Sequence, residues 1–407
     1  MKSFLKKRLL KQKRLYNCLK FVNDCCQLVG IALTKMVSLP FLLLPIKRNK
    51  IVISSYFGKG YGDNGKYIVE ELLRRNVELD IVWLLRKELV ETTRLPYGVR
   101  IAPYGSLRAL YELATAKVWL DNCRKDFCPL KRDTQYYIQT WHGGLGVKRI
   151  EGDALESLTR AYIATAKNDS KMADLFISNS THLTNIYMRS FWYFGEILEC
   201  GYPKNDAFFR DVEPVKRIVK SQFRLDEQTR IVLYAPTFRV DGSLDYYNID
   251  YGKVLNALEE LTKEKWVFLV RLHPNLLGLD NEIHYTDTII NASRYPDMQE
   301  LVLACDILIS DYSSCMFDAA MLKLPTFIYA TDVDQYMTDR GTYFSMDELP
   351  FPFANCNEGL VENILAFDRV KYERDIDKFH ISVGLKDRGD AATQIADRIL
   401  EVCATED

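Results

Sequence analysis

Two histidines stand where the residues around them suit phosphoryl chemistry. His142 lies in Gln139-Thr140-Trp141-His142-Gly143-Gly144, directly after the strand-like run Tyr136 to Thr140. His273 lies in Arg271-Leu272-His273-Pro274, at the end of the apolar run Trp266 to Val270. The chain has only five histidines, so two at strand ends in separate halves favour a functional reading over a pair of structural turn residues. Glycines beside His142 let backbone approach a ligand closely, and Lys148 follows within reach. Strand alternation puts Arg271 and His273 on one side, where a cation and an imidazole converge on one group. One imidazole, titrating near neutrality, suits removal of a proton from an attacking hydroxyl. The other, with Arg271, suits stabilisation of charge on phosphate oxygens.

Three further constellations offer anion contacts. Ile309-Ser310-Asp311-Tyr312-Ser313-Ser314 ends a strand and enters the helical pattern Cys315 to Leu322. Ser313 and Ser314 at a helix start make a pyrophosphate cradle, with plain N-capping as the alternative. Asp318, one turn on, reaches a ribose hydroxyl or is an exposed helix acid. Tyr234-Ala235-Pro236-Thr237-Phe238-Arg239 adds Thr237 and Arg239 as donors, and Arg340-Gly341 adds a phosphate fork. Asp332-Val333-Asp334 has the spacing of a metal-binding pair but reads better as surface acid, so no metal or cofactor is expected. The chain has neither G-x-G-x-x-G nor G-x-x-x-x-G-K-[ST], which weighs against nicotinamide and ATP chemistry. Gly58-Lys59-Gly60-Tyr61-Gly62 reads as a loop after the first strand, with Asp63 and Asn64 capping the next helix.

These residues must be positioned by alternating strands and helices, the pattern of repeated βαβ units. The first series of strands is expected at Ile51 to Tyr56, Asp80 to Leu85, Val99 to Pro103, Lys117 to Asp121, Tyr136 to Thr140, Leu175 to Ser178 and Ile197 to Cys200. A break at Gly201-Tyr202-Pro203-Lys204-Asn205-Asp206 and a helical run from Pro214 to Phe223 follow. The second series is expected at Ile231 to Ala235, Trp266 to Leu272, Thr288 to Asn291, Ile307 to Ser310 and Thr326 to Tyr329, with a last helix near Ala391 to Val402. The expected fold class is α/β: two Rossmann-type parallel-sheet lobes facing a cleft. The boundaries are 1–48 for an N-terminal amphipathic extension, 49–205 for the first lobe and 206–407 for the second. A length of 407 residues suits two such domains.

A net charge of −1 with 48% hydrophobic and 27% charged residues describes a folded globular chain and excludes a nucleic-acid-coating or disordered one. The ten cysteines lack metal or redox spacing and read as reduced, which points to the cytosol. Charge is local to the N-terminus, where Lys2, Lys6, Lys7, Arg8, Lys11, Lys13, Arg14 and Lys20 precede the first acid, Asp24, with apolar residues between them. Such a helix lies on an anionic bilayer. The apolar stretch Cys25 to Ile46 is cut by Lys35, Pro40 and Pro45, which favours an interfacial hairpin or helix pair over a span. Peripheral attachment to the cytoplasmic face of the membrane is the expected location.

Taken together, the motifs resemble the CDP-glycerol glycerophosphotransferase family, which includes teichoic acid primases and polymerases. The resemblance covers nearly all of the chain after residue 50. It rests on Asp63-Asn64 with Lys66, Trp119 to Asn122, Trp141-His142-Gly143 with Lys148, Gly201 to Asp206, Ala235 to Arg239, Arg271 to Pro274, Ser310 to Ser314 with Asp318, and Asp339-Arg340-Gly341. It implies a GT-B-like fold with an acceptor-side first lobe and a CDP-donor-binding second lobe. The implied reaction moves glycerol phosphate or ribitol phosphate from CDP-glycerol or CDP-ribitol to a hydroxyl of a lipid-linked saccharide or of a teichoic-acid or capsule-type polymer, releasing CMP. In that resemblance His142 and His273 are the essential histidines, and the serine motif with Arg340 holds the donor diphosphate. Arg271, Lys148, Thr237 and Arg239 join them, and Asp311 and Asp318 take the nucleotide or ribose. One departure is Gly144-Leu145-Gly146-Val147, where many members carry Thr-Pro-Leu; it bears on donor or acceptor preference. The competing readings on the same scaffold are a UDP-sugar glycosyltransferase or nucleotide-sugar epimerase, and a non-catalytic membrane scaffold.

Overall fold

The computed structural model describes residues 13–239, 245–273, 276 and 283–405. Its contacts divide the chain into two units. The first holds the residues up to Gly144 with Ile150–Asp206 and the segment from Leu385 onward, and the second holds Leu145–Arg149 and Ala207–Gly384.

The first unit is built on strands β1 (Lys47–Ser54), β2 (Asp80–Leu85), β3 (Val99–Pro103), β4 (Ala116–Asp121), β5 (Tyr136–Gln139), β6 (Leu175–Ser178) and β7 (Glu196–Glu199). They form one parallel sheet in the order β3-β2-β1-β4-β5-β6-β7. Helices cover both faces, so the central strands are apolar nearly throughout rather than alternating. Ile51, Ile53, Trp83, Leu84, Val118, Trp119, Leu120, Ile138 and Phe176 have no exposed surface. Serine and threonine start three of the flanking helices by accepting a backbone N–H: Ser106 from Ala109, Thr159 from Tyr162 and Ser180 from Leu183. The last helix, Ala391–Ala404, packs on helix Asp63–Arg74 and is fixed by Arg398 on Glu196 at 2.8 Å.

The second unit carries β8 (Arg230–Tyr234), β9 (Trp266–Val270), β10 (Ile289–Asn291), β11 (Ile307–Ser310), β12 (Thr326–Tyr329) and β13 (Phe353–Ala354), again all parallel, in the order β10-β9-β8-β11-β12-β13. Its core gathers Val232, Tyr234, Phe268, Val270, Ile309 and Phe327 around helix Tyr251–Thr262. Both units are therefore Rossmann-type, which is the GT-B-like α/β class expected. In each, the strand order reverses once, between β1 and β4 and between β8 and β11. Crevices at the carboxyl ends of strands at such reversals are where ligands bind in open α/β sheets.

Two local expectations are corrected. Asp63 and Asn64 do not cap a helix: Gly62 precedes helix Asp63–Arg74, no side chain caps it, and Asp63 is its first residue. Among the described residues the N-terminal extension is not a hairpin but a helix, Lys13–Ser38, ending in a short 3-10 turn at Leu39–Leu43, while Lys2, Lys6, Lys7, Arg8 and Lys11 lie outside the described residues. Lys35 does not interrupt the helix because its ammonium leaves the axis to donate to Asn168 Oδ1 at 2.7 Å; the break comes at Pro40. Phe21–Leu43 is long and apolar enough to cross a membrane, and most of it is exposed, including Phe21, Val29, Leu33, Met36 and Leu43.

Candidate active site

In the first unit the chain leaves β5 through Thr140 and Trp141 and presents His142 at the carboxyl end of the sheet. Trp141 takes a left-handed φ of 54°, uncommon for a bulky residue, and stacks on the His142 ring at 4.8 Å. His142 Nδ1 lies 2.7 Å from the carbonyl oxygen of Asn122, the residue after β4. A carbonyl only accepts, so Nδ1 carries the proton and the lone pair of the neutral ring falls to Nε2, the arrangement a general base requires.

The turn is held from several sides. Asn64 Nδ2 donates to the Trp141 carbonyl, and Asn64 Oδ1 accepts from the Lys204 backbone N–H. The Tyr202 hydroxyl donates to the Gly143 carbonyl. A side chain at Gly144 would come within 2.7 Å of Asn179 Nδ2, so the close approach there requires glycine. Asn205 Nδ2 and the Tyr202 N–H both donate to Asp387, which also accepts from Asn179. The Asp63-Asn64 and Gly201 to Asp206 motifs thus act together to hold the histidine turn.

Beneath that turn is a buried charge network that sequence reasoning missed. Arg124, whose side chain is 2% exposed, pairs with Glu151 at 3.0 Å and Asp169 at 3.2 Å, and sits among the rings of Trp141, Phe176 and Phe191. Lys125 pairs with Asp121, which also accepts from Ser54. Burial pushes the Asp121 carboxyl up to about 6, with Lys125 pulling the other way. Gln139 donates to the Cys123 carbonyl and accepts from the Trp141 N–H, so the strand, the network and the histidine turn form one piece. The sequence offers little signal for it: two adjacent cations just after a strand have the same spacing whether they are buried or exposed.

In the second unit, the loops after β8 and β11 meet at the strand reversal. Asp311 Oδ1 accepts from the backbone N–H groups of Thr237 and Tyr312, at 2.8 and 2.6 Å, and Asp311 Oδ2 receives Arg239 at 2.8 Å. Arg239, 6% exposed, also forks onto Asp332 at 2.6 and 2.9 Å, and lies over the stacked rings of Tyr312 and Tyr336. The structure thus commits Arg239 to both Asp311 and Asp332. Asp318 is buried, and its carboxylate accepts from Gln299, so it is not an exposed helix acid. Thr237 is buried with its Oγ1 unpartnered among the described residues. Ser313 and Ser314 are half-buried; Ser314 begins helix Cys315–Ala320 but makes no side-chain capping bond, which leaves its hydroxyl unused by the cap.

Strand β9 ends at Val270, so Arg271, Leu272 and His273 lie beyond it. Arg271 donates to the Tyr295 carbonyl, and the exposed His273 ring lies 5.7 Å from Phe238. Lys148 belongs to the second unit, where it bridges Thr342 across an antiparallel contact and its neighbour Arg149 bonds the Gly341 carbonyl. The Arg340 side chain lies outside the described residues. A cavity in the first unit, lined by Lys47, Lys50, Arg100 and Arg108 with Asp80 and Glu112, sits at the amino ends of β1 to β3, the end opposite His142. Its charges are largely paired with one another, as in Lys50 with Glu112 and Arg100 with Asp80, and it reads as a structural ion cluster.

Comparison with known proteins follows the same lines. A family model described as CDP-glycerol:poly(glycerophosphate) glycerophosphotransferase matches residues 36–401. A teichoic acid poly(glycerol phosphate) polymerase of Staphylococcus epidermidis is 31% identical over 371 residues, 87% of this chain and 51% of the relative, so the chain spans about half of that protein. One of the same description from Bacillus spizizenii is 29% identical and is covered to 93%. The solved structure of the wall teichoic acid polymerase TagF superposes with a TM-score of 0.79 at 28% identity, covering 95% of this chain and 98% of that one.

Proposed function

Because the chain belongs to the CDP-glycerol:poly(glycerophosphate) glycerophosphotransferase family, we propose that it transfers glycerol phosphate or ribitol phosphate from a CDP-polyol to a hydroxyl of a lipid-linked saccharide or teichoic-acid-type polymer, releasing CMP. The observation that carries this reading is the Nδ1 bond from His142 to the Asn122 carbonyl, which presents Nε2 as the acceptor at the strand reversal of the first sheet. In the proposed step the acceptor hydroxyl oxygen attacks the phosphorus that bears the polyol. Its proton passes to His142 Nε2, and the bond to the bridging oxygen breaks with its electron pair leaving on CMP. His273 and Arg271 stabilise charge on the phosphoryl oxygens, and Thr237, Ser313, Ser314, Lys148 and Arg340 hold the diphosphate. Arg239 and Asp311 hold the loops after β8 and β11 that carry Thr237, Ser313 and Ser314, and Asp318 is buried in helix Cys315–Ala320.

Incubation with CDP-glycerol or CDP-ribitol and a lipid-linked acceptor is expected to release CMP in step with acceptor consumed. Turnover of UDP-sugars alone, with UDP as product, would rule the proposal out in favour of a glycosyltransferase.

The proposed location is the cytoplasmic face of the cell membrane, held by the N-terminal segment. Its support is the exposed apolar surface of Phe21–Leu43 together with the lysines and arginines before residue 21. Deleting residues 1–48 is expected to weaken sedimentation with anionic vesicles at least ~10-fold, since several cations at about 1 kcal/mol each are lost. Binding of the whole chain should fall as salt is raised. Equal partitioning of the truncated and whole chains would place the attachment elsewhere.

A further inference from the structure

We propose that the cationic cavity at the amino ends of β1 to β3 seats the phosphate of an anionic membrane lipid, which turns that end of the first sheet toward the bilayer. The inference rests on the membrane location proposed above and adds to it a discrete site and the group that site takes.

The pairing within this ion cluster does not cancel its charge. Lys47, Lys50, Arg100 and Arg108 line the cavity against Asp80 and Glu112, so two positive charges are left over. Glu112 takes three of the four cations: Lys50, Arg100 at 3.2 Å and Arg108 at 2.5 Å. Asp80 takes Arg100 again, at 2.6 Å. The exposed Lys47 ammonium has no carboxylate partner among the described residues. The Lys50 and Glu112 side chains have no exposed surface, and Lys50 also donates to Thr115 Oγ1 at 2.6 Å. Burial holds the Lys50 ammonium below its ordinary range even with Glu112 bonded to it, a cost that further negative charge in the cavity would offset.

The cations are fixed in place before a ligand arrives. Lys50 and Arg108 both lie over the Tyr111 ring, at 4.9 and 5.2 Å, and share Glu112. Arg100 and Arg108 nevertheless stay 42% and 56% exposed, so the cluster opens to solvent along two guanidinium groups, the side chains best shaped for phosphate. Tyr111 is the one ring among the described lining residues, and two cations already stand over it, which disfavours a stacked nucleotide base.

The neighbouring chain selects a lipid as the source of that phosphate. The exposed apolar stretch Phe21–Leu43 ends just before β1 begins at Lys47. Its last turn, Leu39–Leu43, packs on helix Leu107–Ala114, the helix that supplies Arg108, Tyr111 and Glu112. Arg132 fastens the junction by donating to the carbonyls of Leu42, Leu44 and Ala114. Leu43, Leu107 and Tyr97 lie exposed at the same end of the sheet. Cations bordered by exposed apolar and aromatic side chains match the boundary between headgroups and acyl chains.

The test is sedimentation of the whole chain with phosphatidylcholine vesicles, with and without phosphatidylglycerol, at one ionic strength set by chloride or by inorganic phosphate. The parent protein should prefer the phosphatidylglycerol vesicles, and inorganic phosphate should weaken that binding more than chloride does. Lys47→Gln with Arg108→Gln removes the excess charge and leaves Glu112 paired with Lys50 and Arg100; it should cost at least ~10-fold in affinity and abolish the phosphate effect. Lys47→Gln alone, at an exposed position that folding does not depend on, should cost about 5-fold. Arg48→Gln, at the exposed residue next to Lys47 but outside the cavity, should cost less than ~2-fold. Equal losses from Lys47→Gln and Arg48→Gln would mean diffuse attraction, which overturns the discrete site and leaves the membrane location standing. A phosphate effect on calorimetric titration that the double variant loses, with vesicle binding unchanged, would mean a free anion's site and overturn the lipid assignment. Binding of the parent protein to neither vesicle overturns both readings.

Discussion

Replacement of His142 by asparagine is expected to lower kcat by about 10²–10⁴-fold, the range supplied by a positioned general base. Asparagine is chosen because its Nδ2–H can still donate to the Asn122 carbonyl, as His142 Nδ1 does at 2.7 Å. The turn then keeps its anchor and only the lone pair of Nε2 is lost. CDP-glycerol affinity and the unfolding midpoint should therefore stay close to those of the parent protein, and the loss should lie in kcat rather than KM. A fall of less than about threefold in kcat would show that the attacking hydroxyl gives its proton to another group.

The second large effect concerns stability. Arg124→Met is expected to destabilise the first unit by about 3–5 kcal/mol, the usual cost of removing one partner from a buried ion cluster. The substitution leaves Glu151 and Asp169 in a site from which water is excluded, with Tyr162 donating to one and Tyr137, Gln139 and the Lys125 backbone N–H to the other. The long apolar side chain of methionine fills much of the space among Trp141, Phe176 and Phe191, so a lost charge rather than a cavity dominates. An exposed ion pair gives the control: Arg369, on Glu373 at 2.7 Å with its side chain 64% exposed, should change stability by less than about 0.5 kcal/mol when replaced by alanine. Urea midpoints of the two variants measure the difference, and equal midpoints would mean that the buried cluster contributes no net stability.

The sheets were legible because each strand is an apolar, β-branched run stopped by a turn residue. The strands at Asp80, Val99, Leu175, Ile307 and Thr326 begin and end where that pattern does. Strand β13 was not legible: Phe353–Ala354 is two residues long and owes its place to pairing with β12. The candidate histidines were visible for a related reason, since a polar residue at the end of a buried strand has few structural uses. Their supports were hidden. Asp63 resembles a helix cap in sequence, and only its own left-handed backbone and the hydroxyl of Tyr56 show where its carboxylate goes. Arg239 looks like an exposed phosphate donor because its two carboxylate partners, Asp311 and Asp332, are distant in the chain and arrive only through the β11 and β12 loops. Arg124 is hidden in the same way, since Glu151 and Asp169 come from separate helical segments. Burial of charge is decided by long-range contacts, and spacing along the chain carries little information about it.

The measurement that bears most directly on the central claim is the mass of the acceptor after reaction with CDP-glycerol and, separately, with CDP-ribitol. With at least one of the two donors, the acceptor should gain the mass of one or more polyol phosphate units while one CMP appears for each unit added. An acceptor of unchanged mass with both donors, or a gain in mass from a UDP-sugar instead, would contradict the assignment of polyol phosphate transfer to this chain.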